Sequence, residues 1–289
     1  MRRLMTERST QRKRELTPLV SSLGVACLSL LGGCASESGG SGGGGTNTGP
    51  LAVTSQNAET LASAAIVVAT IGDSLPFTAS RYGASSGQGV PCDNGTLDIS
   101  ASTGSSTDTV TTPSGNVISP PAAGDTVLDY AACEESGYTN DGRAAVGASG
   151  NGSRVRWLNL RIEHTLIAPS NVVGAAIFSN AGQILYRIDD LTVTQGSSSF
   201  YAIGQIDSFD FARQLRFDVQ LRFPDGSAQI TSPQRLTGTQ GMPFDGGELL
   251  IEGENSSVTV LPLGGGMYRL EIDTNGDDVA DTVMDAVSL

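Results

Sequence analysis

Between Asp273 and Asp285 the chain places five carboxylates in thirteen residues: Asp273, Asp277, Asp278, Asp281 and Asp285. Carboxylates held this close repel one another unless a cation sits among them, and alternate residues of a tight loop turn their side chains toward one point. A hard divalent cation asks for about six to eight oxygens at roughly 2.3 to 2.6 Å, so these residue types suit calcium coordination. The competing reading is an acidic Asn-Gly hairpin turn at Asn275-Gly276 that binds nothing.

No other stretch carries a comparable constellation. His164 is the only histidine, and it falls among the apolar positions of its strand, which reads as a hydrogen-bonded core histidine. There is no nucleophile elbow on a strand-to-helix turn, no paired-histidine zinc motif and no phosphate cradle; Gly42 to Gly45 is low-complexity sequence. Glu134-Glu135 and Asp189-Asp190 offer the paired carboxylates of glycoside hydrolysis, but adjacent residues of a strand point to opposite faces. No catalytic residue is assigned, and a non-enzymatic protein is expected.

At the other end of the chain, Arg2, Arg3, Arg8, Arg12, Lys13 and Arg14 precede an apolar run from Leu19 to Leu31. A bilayer span needs roughly 20 apolar residues, so this run has the length of a signal peptide's apolar region. It closes on Leu31-Gly32-Gly33-Cys34, which resembles the bacterial lipobox: a branched apolar residue, two small residues and a cysteine. In that family the thiol is diacylated, the leader is cut before the cysteine and the new amine is acylated as well. The resemblance implies a signal peptide over residues 1–33 and lipidation at Cys34. With Ala35 rather than Asp after the cysteine, it implies anchoring in the outer membrane, on its periplasmic or cell-surface face. Each buried methylene contributes about 0.8 kcal/mol, so three acyl chains would hold the protein where one would let it go.

The acidic loop has a resemblance of its own. Asp-x-Asn-x-Asp with a further Asp at the ninth position is similar to the calcium loops of EF-hands, dockerins and thrombospondin type 3 repeats. That resemblance implies side-chain oxygens from Asp273, Asn275, Asp277 and Asp281 and the carbonyl of Val279 as ligands. Two positions depart from it: Asp278 stands where the pattern has Gly, and Met284 where an EF-hand has its bidentate Glu, with Asp285 as the nearest substitute. The flank Tyr268, Leu270 and Ile272 alternates like a strand instead of entering as a helix.

The whole chain carries a net charge of −13; the leader contributes +4, which leaves −17 on the remainder, where eleven Arg and no Lys occur. Such a surface repels nucleic acid and anionic headgroups, so neither is an expected partner. Cys27 departs with the leader and Cys34 is consumed by lipid, so only Cys92 and Cys133 remain to pair, and an oxidising envelope makes a disulfide the expectation. Closing that loop stabilises a fold by about 4 kcal/mol on the chain-entropy argument.

Residues 34–50 comprise the lipidated cysteine and a tether, since Ala35 to Pro50 holds seven glycines and no large apolar side chain. Its root-mean-square span is roughly 20 to 25 Å. Residues 51–289 read as one β-rich domain. Gln56 to Ile71 is the one helix, with Ser55 as its N-cap, Gly72 as its stop and a small apolar face, Ala58, Leu61, Ala62, Ala65, Val68 and Ala69, suited to lying on a sheet. Ser/Gly/Thr-rich stretches around 80–90 and 101–120 read as irregular.

Strands follow, separated by turn residues. They are expected at 96–101, 126–132, 142–148 after an Asn140-Asp141-Gly142 turn, 155–166, 173–179, 183–194, 200–209, 215–223, 227–231, 248–252, 257–261 and 267–273. In Val155 to Leu166 the set Leu158, Leu160, Ile162, His164 and Leu166 shares one face, opposite Trp157, Asn159, Arg161 and Glu163. In Leu215 to Phe223 the set Leu215, Phe217, Val219, Leu221 and Phe223 alternates with polar residues. Short connections make antiparallel neighbours, so the expected fold is mainly β: a large antiparallel meander, as a curved sheet, half-barrel or sandwich, with one packed N-terminal helix.

The order Cys92-x-x-Gly95, Gly124-Asp125-Thr126-Val127, a second cysteine and a closing acidic loop is similar to a group of β-rich proteobacterial envelope lipoproteins. That supports the architecture and brings no activity with it. Two functions from different classes are open: a tethered binding or structural module that engages an envelope protein or a glycan, and a carrier or receptor for an apolar ligand or lipid. The carrier reading rests on analogy with outer-membrane receptors that lay a helix across a curved sheet. A cavity open beside the helix and lined by Leu215, Phe217 and Val219 would favour the carrier, and a filled core would remove it.

Overall fold

The computed structural model describes residues 49–82, 92–105, 109–112, 117–135, 137–150, 152–164, 167–180, 184–208, 213–239 and 242–289. Residues 1–48, with the expected leader, Cys34 and most of the expected tether, lie outside them, as do 83–91 and Leu166. One helix, α1 (Ala58–Tyr82), is followed by β1 (Asn94–Ala101), β2 (Val110–Thr111), β3 (Val117–Ile118), β4 (Thr126–Glu135), β5 (Tyr138–Ser149), β6 (Gly152–His164), β7 (Ile167–Asn180) and β8 (Ile184–Gln195). Then come β9 (Ser198–Ser208), β10 (Gln214–Phe223), β11 (Gly226–Gly238), β12 (Phe244–Glu252), β13 (Ser257–Gly264), β14 (Met267–Asp273) and β15 (Thr282–Ser288). β1 and β4 to β15 pair in chain order as one thirteen-stranded antiparallel sheet that does not close into a barrel, and β2 and β3 form a separate ribbon.

The sheet packs on α1, which touches β5 through β10 and also β13 and β14. From Leu61 to Ile71 the helix is therefore buried on more than one stripe, with Glu59 and Thr60 of its first turn exposed. Ile66 and Val67, outside the expected face, are as buried as Leu61 and Val68. It is also longer than its sequence pattern. Thr54, not Ser55, caps it: the Thr54 N–H donates to Asn57 Oδ1 at 2.8 Å and the Asn57 N–H to Thr54 Oγ1 at 3.3 Å, a reciprocal capping arrangement. Gly72 does not stop it. A Cβ there would lie 2.7 Å from Ile206 Cδ1, so the glycine lets the sheet approach the helix axis.

Bulges bend individual strands. Register shifts interrupt most strand pairs, among them β4–β5, β5–β6, β6–β7, β7–β8 and β8–β9. On β6 the extra residue is Asn159, with φ of 81°. It reverses the side-chain alternation of that strand, so the expected grouping holds only on its C-terminal side. Leu160, Ile162 and His164 stay inside, Trp157 joins them in the main core, and Leu158 turns to the outer face with Ile118, Ala145 and Ala175. Opposite it, Asn140-Asp141-Gly142 is no turn but part of β5: Gly142 takes φ of 107°, and a Cβ there would sit 2.4 Å from the Asn159 carbonyl oxygen. β10 follows its pattern, with Leu215, Phe217, Val219 and Leu221 at 2 % exposure or less and Phe223 packed at the margin.

In the stretch after β1 the described residues make specific contacts with the sheet. Ile118 of the ribbon packs on the outer face of the sheet, Thr112 Oγ1 donates to Asp190 Oδ2 at 3.3 Å, and Asp125 meets Arg156 at 2.8 Å. At the N-terminus the body begins before residue 51. Pro50 pairs in parallel with Ser227, and the Leu51 N–H donates to the Ser227 carbonyl at 2.7 Å.

Candidate functional site

The acidic loop connects β14 to β15, a strand whose own sequence gave no separate signal. Its geometry is a ladder of side chains turned onto their own backbone. Asp273 Oδ1 accepts the N–H groups of Asn275 at 3.0 Å and Gly276 at 2.7 Å, and its Oδ2 that of Asp278 at 2.9 Å. Asn275 Oδ1 takes the Asp277 N–H and Asp277 Oδ1 the Val279 N–H. Asp281 closes the loop: its Oδ2 accepts from the Thr274 N–H and hydroxyl, and its Oδ1 from the Asn275 amide. Burial works to raise the pKa of Asp273, but the backbone donors of Asn275, Gly276, Asp278 and Asp277 outweigh it and hold the carboxyl below its ordinary value.

The sharp turn falls where the calcium pattern needs it. Gly276 takes φ of 75° and Asp278 φ of 62°, so Asp278 adopts the left-handed conformation that glycine supplies in the pattern. Val279 is exposed, and Asp285 faces Arg269 at 3.6 Å instead of entering the loop. Among the described residues no three His, Cys, Asp or Glu side chains gather as a metal-binding group. The donor types of a calcium loop are thus present in order, with the oxygens of Asp273 and Asp281 engaged by the loop's own N–H, hydroxyl and amide groups.

Cys92 and Cys133 form the expected disulfide, with Cα atoms 5.3 Å apart. It fastens the segment behind the helix to β4 beside Ala132, a residue at φ of 47°. His164 lies in the core with its ring 4.4 Å from that of Tyr138. The carboxylate pairs find separate partners: Asp189 lies between Arg154 and Arg187, Asp190 takes the Thr112 hydroxyl, and Glu134 takes the Asn94 amide at 3.5 Å.

Two features had no sequence signal. The first is a buried ion pair, Asp73 of α1 with Arg213 just ahead of β10, at 2.9 Å. Arg213 also donates to the carbonyls of Thr239 and Met242 and lies 3.9 Å over the Phe244 ring. Desolvation raises the pKa of Asp73, with the Arg213 charge and hydrogen bond opposing it; desolvation likewise pushes the Tyr138 hydroxyl up, and the Asp73 charge adds to it. The second is a groove of about 370 Å³ on the outer face, where the β5 and β6 bulges meet. Val110, Leu158, Asn159 and the Asp129–Arg143 ion pair, 2.6 Å apart, line it.

No helix among the described residues is long and apolar enough to cross a membrane. Set against known proteins, the chain matches no family model, no curated protein and no solved structure.

Proposed function

We propose that this protein is an envelope lipoprotein, acylated at Cys34 and held to the outer membrane, whose β-rich body acts as a binding or structural module toward an envelope protein or a glycan. The observation that carries the reading is the Leu31-Gly32-Gly33-Cys34 junction behind a basic and then apolar leader. The body suits the role: its described interior is given over to packing, while its outer face carries paired charges and a groove with both polar and apolar walls. Changing Cys34 to Ser should move the protein from the membrane fraction to the soluble one, and mass spectrometry of the mature N-terminus should find acyl chains on the wild type. An unmodified N-terminus elsewhere in the chain overturns the anchor.

The carrier reading has less support. Leu215, Phe217 and Val219 belong to the same apolar cluster as Leu61, Val68 and Ile71 of the helix, so along that part of α1 they pack instead of lining an opening. Calcium remains part of the proposal as a structural ion of the Asp273–Asp281 loop. It is supported by the spacing of the donors and the crowding of the carboxylates, and its binding would take the Asp281 oxygens from Thr274 and Asn275.

A further inference from the structure

Asn-Gly steps occur in the chain at Asn94, Asn151 and Asn275, and Asn151 lies outside the described residues. Such a step is open to self-modification, because glycine presents no side chain to shield the backbone nitrogen that follows the asparagine. We propose that Asn94 is a site of deamidation in the folded protein, and that the fold favours the reaction there over Asn275. In the reaction the Gly95 nitrogen attacks Asn94 Cγ. The N–Cγ bond forms, the Cγ–Nδ2 bond breaks, and the amide group leaves as ammonia, taking the Gly95 amide proton. Water then opens the succinimide ring. Cleavage of the new N–Cγ bond leaves aspartate at position 94, and cleavage of the original peptide bond leaves isoaspartate, with the backbone running through the side-chain carbons. No oxidant or reductant enters.

Asn94 opens β1, and both it and Gly95 are exposed to the water that the second step consumes. The Gly95 N–H donates to Asn94 Oδ1 at 3.0 Å, so the side-chain carbonyl is folded back beside the nitrogen that attacks it, which is the proximity ring closure requires. The step falls in a bulge: the register with β4 shifts between Asn94 and Thr96, and Gly95 takes φ of 76°. Asn275 and Gly276 are also exposed, but their reacting groups are engaged elsewhere. The Gly276 N–H donates to Asp273 Oδ1 at 2.7 Å, while Asn275 Oδ1 accepts the Asp277 N–H at 2.9 Å and Asn275 Nδ2 donates to Asp281 Oδ1 at 3.2 Å. The product at 94 acts on the edge of the sheet. Asn94 Nδ2 donates to Glu134 Oε1 at 3.5 Å, and a carboxylate in its place repels Glu134 across the strand pair and Asp93 beside it. Isoaspartate lengthens the backbone by a methylene where it is held on both sides. The Cys92–Cys133 bridge and the Asp93 N–H, given to the Glu134 carbonyl at 2.8 Å, precede it, and the β1–β4 ladder follows it. Either product loosens β1 at its disulfide end.

The test incubates the purified protein, folded, in mildly alkaline buffer with a chelator present, so that no cation at the acidic loop enters the comparison. Peptide mass spectrometry follows the change of amide to carboxyl at each position, and enzymatic methylation reads isoaspartate. Deamidation should be several-fold faster at Asn94 than at Asn275 in the folded protein, and comparable at the two in the reduced chain in urea. Equal rates in the folded protein, or a faster rate at Asn275, overturn the proposal; the same ratio in the unfolded chain overturns the fold as its cause. Asp273→Ala, which releases the Gly276 N–H, should bring the Asn275 rate closer to that of Asn94, and an unchanged ratio overturns the account of its protection. Amide hydrogen exchange over β1 reads the consequence. It should quicken as Asn94 is modified and stay slow in Asn94→Gln aged for the same time, since glutamine must close a larger ring. Exchange that quickens equally in Asn94→Gln overturns the link between the modification and the strand.

Discussion

Asp73 and Arg213 meet at 2.9 Å with side chains 7 % and 3 % exposed, which makes them a salt bridge between the helix and the sheet inside the core. Removing one partner of such a pair leaves an uncompensated charge, so Arg213→Met should cost about 3 to 5 kcal/mol, read from urea unfolding. The pH dependence has a definite sign. The folded pKa of Asp73 lies above the ordinary 3.8, so the folded state binds the proton more tightly than the unfolded one. This contribution is fully present below 3.8 and is lost as pH rises through the raised folded value. Asp73→Asn should abolish that slope. Asp273, whose pKa is lowered, acts oppositely: its contribution is present above 3.8 and is lost as pH falls through its folded value.

Gly72→Ala sets helix propensity against packing. Alanine in a helix interior gains about 1 kcal/mol over glycine, whereas overpacking a filled core costs about 1 to 3. Ile206 is fully buried, and its Cδ1 has little room to yield the missing distance. A net loss is expected in urea unfolding. Ile206→Val deletes that methyl, so adding it to Gly72→Ala should recover stability, and a double mutant no better than the single would remove steric contact as the cause.

The Cys92–Cys133 bridge closes a loop 41 residues long by sequence separation. Replacing both cysteines with alanine should lower stability by about 4 kcal/mol, and reductant should have the same effect on the wild type. The comparison of midpoints with and without reductant checks it; a reductant-insensitive wild type would mean that the bridge does not constrain the unfolded chain.

Calcium titrated into the soluble chain should release or absorb heat and raise the melting temperature at millimolar ion. The stabilisation should approach about 2.7 kcal/mol at a hundredfold excess over Kd. Asp281→Asn should weaken the effect, since Asp281 must leave Thr274 and Asn275 to reach the ion. No heat and no thermal shift would leave an acidic turn stabilised by its own hydrogen bonds.

Legibility in the sequence followed the regularity of the backbone. β10 could be read residue by residue because no bulge breaks its pairing with β9. β6 could not, because Asn159 adds one residue and sends Leu158 and Trp157 to the faces opposite to those their spacing implies. The same irregularity made Asn140-Asp141-Gly142 look like a turn, since turn residues and bulge residues share a tolerance for positive φ. The helix was read short because Gly72 suits both a C-terminal stop and a close packing contact, and only the position of Ile206 distinguishes them. The disulfide was legible by elimination, whereas Asp73 and Arg213, far apart in sequence, needed the fold to bring them together.

The enclosure of the helix by distant strands also sets an order of assembly. Val53, five residues ahead of the helix, donates its N–H to Ser256, 203 residues later, and β13 and β14, near the end of the sheet, also pack against the helix. Contacts this distant in sequence are paid for in chain entropy before they return stability, and they make folding slow. The helix precedes every described strand and is therefore fully enclosed only after β13 and β14 have formed. A chain truncated before β13 would keep the apolar Leu61–Ile71 part of the helix with some of its covering missing, in a state prone to aggregation.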